Sequence, residues 1–155
     1  MIVISSCLAG MKVRYDGNAN TVEKIRQLVE EKKAVTVCPE VLGGLPTPRN
    51  PAEIIGGDGE AVLDGVARVV DNTGEDVTDA FLQGAYKALE VVQQVGAHTV
   101  VLKENSPSCG SNHIYTGEFN GTKKQGAGVT AALLRRHGIH VVSEENFLHY
   151  IEEIR

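Results

Sequence analysis

Tryptophan is absent from this chain of 155 residues, and phenylalanine and tyrosine together make up only 5% of it. Set beside 17 glycines, so few large rings describe a small enzyme with many working loops. No apolar run extends beyond a few residues, which excludes a transmembrane helix. Met1-Ile2-Val3-Ile4 brings neither a basic region nor a long apolar one, so it does not read as a secretory signal. Basic clusters are missing too. Lys and Arg number 15 against 20 Asp and Glu, a formal net charge of −5. An acidic chain of this kind is a poor candidate for general nucleic-acid or anionic-membrane binding. Internal repeats and low-complexity tracts are also lacking. What remains is globular, with 42% hydrophobic and 23% charged residues. The length suits a single domain, residues 1–155, able to bury a core.

Four short apolar runs stand out: Ile2-Val3-Ile4, Ala34-Val35-Thr36-Val37, Thr99-Val100-Val101-Leu102 and Ile139-His140-Val141-Val142. Their apolarity is continuous and rich in β-branched residues. That predicts strands buried on both faces, hence a parallel sheet. Helical patterns lie between them. Asn20 and Glu23 form a capping box ahead of a face of Val22, Ile25, Leu28 and Val29. Thr78 and Asp79 open a second helix with a stripe of Phe81, Leu82, Ala85, Leu89 and Val92, ended by Gly96. A third runs from Val129 to His137, stopped by Gly138, and Ser143 with Glu144 and Glu145 starts a fourth. The order is that of an α/β protein, a Rossmann-like three-layer fold with a mostly parallel sheet. Residues 43–77, rich in turn chemistry, interrupt it as an insertion within the domain. There Ile54-Ile55 and Val66–Val70 are expected to form a hairpin or edge strands.

Three cysteines cannot all pair within one chain. Without an export signal they point to a reducing, cytoplasmic compartment. The commonest use of such a cysteine is as a small buried hydrophobe. Here, however, Cys7 comes three residues after Ile4, Cys38 directly follows Val37, and Cys109 follows Leu102 by seven residues. Each therefore lies past the carboxyl end of a different predicted strand, the edge where open parallel sheets bind ligands. This convergence points to a shared site. Thiolates suit zinc, copper(I) and iron–sulfur clusters. The C-x-x-C spacing of zinc ribbons and thioredoxins is missing. Three ligands leave one coordination position open for a substrate. His113, four residues after Cys109, is a candidate fourth ligand, although its ordinary role is that of a solvent-facing loop histidine.

The loops around the cysteines are polar. Arg14, Tyr15 and Asp16 follow Cys7; Glu40 follows Cys38 by two residues; Lys103, Asn105, Ser106 and Ser108 precede Cys109. A carboxylate beside a Lewis acid can activate water, and a nearby hydroxyl can relay a proton. The spacing is equally compatible with a helix-terminal acid at Glu40 and a cap at Ser106 ahead of Pro107. Gly126-Ala127-Gly128-Val129-Thr130-Ala131 matches the dinucleotide pattern G-x-G-x-x-G/A. It follows a long polar loop rather than a strand, which leaves it as a possible source of N–H groups for an anion.

Three segments carry a resemblance. Ser6-Cys7-Leu8-Ala9-Gly10 with Arg14-Tyr15-Asp16-Gly17, then Val37-Cys38-Pro39-Glu40-Val41-Leu42-Gly43-Gly44-Leu45-Pro46-Thr47-Pro48-Arg49, then Asn105-Ser106-Pro107-Ser108-Cys109-Gly110 resemble the thiouracil desulfidase family, a bacterial family long described as a domain of unknown function. The resemblance implies a [4Fe–4S] cluster on Cys7, Cys38 and Cys109 with one iron free of protein. It further implies that this iron takes the thiocarbonyl sulfur of a 2- or 4-thiolated pyrimidine, with Glu40 acting on water and Ser106 in catalysis. Three thiolates on such a cluster leave about one net negative charge. Arg14, Arg49 or Lys103 would offset it or hold a substrate phosphate, with Tyr15, Asp16 and Ser108 as further candidate substrate contacts. Two other readings stay open: a non-catalytic zinc- or cluster-binding module on the same cysteines, and a nucleotide enzyme using Gly126–Ala131.

Overall fold

The structure, a computed structural model, describes residues 2–6 and 23–143. The candidate residues Cys7, Arg14, Tyr15 and Asp16, the cap at Asn20 and the helix expected after Ser143 lie outside the described residues. Within them the chain forms β1 (Ile2–Ser5), α1 (Glu23–Glu30), β2 (Ala34–Val37), α2 (Pro39–Leu42), β3 (Ala52–Ile55), α3 (Gly59–Leu63), β4 (Arg68–Asp71), α4 (Thr78–Val95), β5 (Thr99–Leu102), β6 (His113–Tyr115), β7 (Lys123–Gln125), α5 (Val129–Arg136) and β8 (His140–Ser143).

The four apolar runs are the four strands of one sheet, ordered β2-β1-β5-β8, with all neighbours parallel. Helices flank it, giving the Rossmann-like three-layer α/β arrangement expected from the sequence. Burial explains the continuous apolarity: Val3, Ile4, Val100, Val101 and Leu102 are fully inaccessible, as strands covered on both faces must be. Ser5 lies beside Val37, and Ile4 lies beside Val101. The carboxyl ends of β2, β1 and β5 are therefore level, with β1 in the middle. Among the described residues no helix is long and apolar enough to cross a membrane.

The long helix α4 has Val77 at its N-cap, with no side-chain cap bond from that residue, and a glycine at its C-cap. Asp76 accepts the Thr78 N–H at 2.9 Å, and Gly96 closes the helix in the left-handed conformation at φ 69°. Its stripe of Phe81, Ala85, Leu89 and Val92 is buried in the core, with Leu82 packed against it. Gly138, at φ 75°, ends α5 in the same way.

The insertion pairs β3 with β4 antiparallel, as a two-stranded sheet of its own rather than an edge of the main sheet. Between them sits α3, in a stretch where the sequence displays only turn chemistry. Asp58 caps it, accepting the Ala61 N–H at 3.1 Å. A third sheet, β6 with β7, falls in what reads as polar loop. Its strands have three residues each, and Ile114 is the only fully buried one among them, too short for a period-2 signal.

Helix α2 is seated on α4 without side chains between them. A Cβ on Gly84 would lie 1.9 Å from the carbonyl oxygen of Pro39, and one on Gly43 would lie 2.0 Å from that of Ala80. Both are impossible distances, so the two backbones touch. This contact fixes the segment that carries Cys38 and Glu40. Gly84→Ala is accordingly expected to cost about 2 kcal/mol or more through overpacking, measured as a lowered urea midpoint with unchanged slope.

Candidate functional site

The level strand ends open into a cavity of about 410 Å³. Ser5 at the end of β1, Cys38 and Glu40 after β2, and Lys103, Asn105, Ser106 and Cys109 after β5 line one side. Arg49, Glu53 and Asn72 enter from the insertion, and Tyr115 and Phe119 from the β6–β7 hairpin. The structure thus brings together six residues singled out from the sequence as site candidates: Cys38, Glu40, Arg49, Lys103, Ser106 and Cys109.

Cys38 occupies the position before the first turn of α2, with extended backbone (φ −128°, ψ 103°). Burial pushes its thiol above the ordinary range, and the Glu40 carboxylate adds to this. The N–H groups of Val41 and Glu40 and the Arg49 guanidinium act in the opposite direction. A ligand role would require that proton to leave on metal binding. Cys109 is 4% exposed, in a loop whose geometry Ser106 sets.

Ser106 combines both roles weighed for it. Its Oγ accepts the N–H groups of Ser108 and Cys109, each at 3.1 Å, a cap within the loop. The hydroxyl donates to Glu40 Oε1 at 3.3 Å. The other carboxylate oxygen, Oε2, receives two donors of Arg49, Nε at 2.9 Å and Nη2 at 2.8 Å. Arg49 Nη1 holds the carbonyl of Pro46 at 3.0 Å. The Arg49 and Glu40 side chains are only 6% and 16% exposed, so these charge-assisted bonds act where water screens them little. Arg49 therefore orients Glu40. Its guanidinium is committed inside the site, which argues against the substrate-phosphate role considered for it.

Two expectations need correction. Ser108 does not line the cavity: it is fully buried, with its Oγ 2.7 Å from Thr130 Oγ1. The glycine-rich start of α5 does not offer its N–H groups to an anion. Gly128, Val129 and Thr130 donate to the carbonyls of Gly110, Pro107 and Ser108 at 2.8, 2.8 and 2.9 Å, and Ala131 also reaches Ser108. A Cβ on Gly128 would sit 2.5 Å from the Ser108 carbonyl, so glycine is required for this approach. The helix end is a clamp on the Cys109 loop. His113 is exposed on β6 and does not line the cavity.

The sequence reading missed Glu53, Glu104 and the two rings. Glu53 and Glu104 are acids inside or beside apolar strands, and both are buried, a pattern that is itself a signal because charged groups are rarely buried without partners. Tyr115 and Phe119 sit in the hairpin that the pattern did not reveal.

A profile of the 2-thiouracil desulfurase family matches residues 2–146. The chain belongs to this family. It is 58% identical to the uncharacterized protein YbbK of Bacillus subtilis (strain 168) over 144 residues, 93% of this chain and 95% of that one. The solved structure of TudS, a [4Fe-4S]-dependent thiouracil desulfidase, is similar at a TM-score of 0.86 with 44% identity, covering 99% of this chain and 96% of that chain.

Glu104, which lines the same cavity, holds the loop that leads into β6. Its carboxylate accepts the Ser111 hydroxyl at 2.8 Å and the N–H groups of Asn112 and His113 at 3.0 and 2.9 Å. Burial alone would raise its pKa, but these donors, with the Asn105 N–H, outweigh it and hold the carboxyl below the ordinary value of 4.5. A lowered carboxylate pKa stabilises the fold above the unfolded value, and the contribution is lost as pH falls through the folded one. Glu104→Gln is expected to cost about 1–3 kcal/mol at neutral pH. In denaturant melts across pH, the gap between parent and variant should stay constant above pH 4.5 and narrow below it.

Proposed function

We propose that this chain removes sulfur from a thiolated pyrimidine by hydrolysis, using a [4Fe–4S] cluster held by Cys7, Cys38 and Cys109. The observation that carries this reading is the convergence of Cys38, Cys109 and the Glu40–Ser106 pair on one cavity. The likeness to TudS supports it. Among the described residues no group of three possible metal ligands comes together, and the third thiol lies outside them. The donors present nevertheless fit the cluster: two soft sulfur ligands border one cavity, at the ends of β2 and β5. Strand β1, whose end leads to Cys7, runs between those two strands. When bound, such a cluster supplies an iron without a protein ligand, a soft Lewis acid for thiocarbonyl sulfur and for the departing sulfide.

The chain's own residues do the proton work. Glu40 takes a proton from the attacking water through Oε1, while Arg49 fixes the carboxylate from the Oε2 side. Ser106, itself held by two backbone N–H groups, relays that proton toward the leaving sulfur. Lys103, at the cavity wall, balances negative charge. The thiocarbonyl and one water become a carbonyl and hydrogen sulfide, with no electrons gained or lost. The organic product is a uracil derivative.

Protein purified without oxygen should be brown, absorb near about 400 nm and carry about four irons per chain, and should release one sulfide per uracil formed. Cys38→Ser should abolish iron loading. Glu40→Gln should keep iron and colour but lower kcat by about 10²–10⁴-fold. Colourless protein that contains zinc and leaves 2- and 4-thiouracil intact would replace this reading with a non-catalytic metal module. Parental turnover in Glu40→Gln would remove Glu40 as the base.

A further inference from the structure

Phe119 is out of place by ordinary folding criteria. It adopts φ 56°, the left-handed region that a bulky L-residue enters only under constraint. It is also 38% exposed, so the core does not explain the constraint. The turn that carries it is closed by Thr116 N–H donating to Thr122 at 3.0 Å and is pressed onto β3. There a Cβ on Gly117 would come within 2.6 Å of the Ile54 carbonyl oxygen. Glu53 fastens it: Oε1 accepts the N–H groups of Gly117 at 2.9 Å and Phe119 at 3.3 Å. Glu53 is 9% exposed, and among the described residues its second oxygen, Oε2, makes no hydrogen bond. Both Glu53 and Phe119 line the cavity that holds Cys38 and Cys109. A largely buried side chain with one carboxylate oxygen in use and the other accessible, beside a ring carried on left-handed backbone at the same cavity, is the pattern of a binding subsite rather than of packing.

We propose that Phe119 and Glu53 form the subsite for the heterocycle: Phe119 is the flat apolar face on which the ring stacks, and Glu53 Oε2 accepts a ring N–H beside the thiocarbonyl. This rests on the desulfidase reading. The N–H between the two ring carbonyl positions is common to 2- and 4-thiolated uracils, so a single carboxylate serves either isomer. It also selects against rings alkylated at that nitrogen, because the alkyl group would displace water from an acceptor that it cannot satisfy. Glu53 thus links ring recognition to the posture of Phe119.

The test uses the full chain, purified anaerobically and loaded with iron, with 2-thiouracil as substrate and sulfide release as the rate. Phe119→Asn introduces a residue that tolerates left-handed backbone. It should raise KM about five- to 100-fold, the range for loss of one base stack. Iron content and visible spectrum should stay parental, kcat should change little, and the inhibition constant of uracil should rise in parallel. Phe119→Tyr should restore the parental KM. Glu53→Gln keeps an oxygen for the turn but presents an N–H donor to the ring; it should raise KM about tenfold while the melting temperature stays near the parent's. Glu53→Ala should lower both affinity and melting temperature. A parental KM in Phe119→Asn overturns the stacking role, and a parental KM in Glu53→Gln reduces Glu53 to a brace for the turn. An iron-loaded parent that releases no sulfide from any thiolated uracil overturns the desulfidase reading itself, a result distinct from either.

Discussion

Backbone-to-backbone contact through glycine is the constraint on which this site rests. Cys38 rides on α2, which touches α4 where Gly43 meets Ala80 and Gly84 meets Pro39. Cys109 rides on a loop gripped by the first N–H groups of α5, with Gly128 against Ser108. In both places a single methyl group would separate the surfaces. Contacts of this kind have little slack, because backbone atoms lack the rotamers by which side chains absorb misfit. Two segments from distant parts of the sequence are thereby held at fixed positions at one cavity.

Electrostatics then differentiates the cavity wall. Arg49 satisfies one oxygen of Glu40 twice, leaving the other toward Ser106. Ser106 is oriented by two amides of its own loop, so its proton points one way. The same carboxylate pushes the Cys38 thiol upward while Arg49 draws it down. Hydroxyl, carboxylate, guanidinium and thiol are therefore coupled within one small network, and a change at any member is felt by the others.

The sheet was legible in the sequence because strands buried on both faces leave a continuous apolar record, and α4 and α5 because a stripe and a terminal glycine mark their extent. The placement of Cys38 and Cys109 followed from chain topology alone. Local signals failed in the shortest elements. Three-residue strands such as β6 and β7 leave no period, and Gly126–Ala131 looked like an anion site because its partners lie elsewhere in the chain. Ser108, polar and close to a cysteine, turned inward to Thr130. The spacing of residues cannot show which side of a loop a hydroxyl takes. Glu53 and Glu104 carried a visible mark, an acid amid apolar neighbours, to which the spacing around the cysteines is blind.

The start of α5 has a consequence for what this architecture can become. In nucleotide-binding folds of the Rossmann type, the amides at a helix start meet a pyrophosphate. Here those amides already bond to the carbonyls of the loop that ends in Cys109 and Gly110. A dinucleotide and the thiol-bearing loop would compete for the same donors, so the two chemistries exclude one another in a single chain of this design. To graft a nicotinamide cofactor onto it, one would first have to dismantle the Cys109 loop.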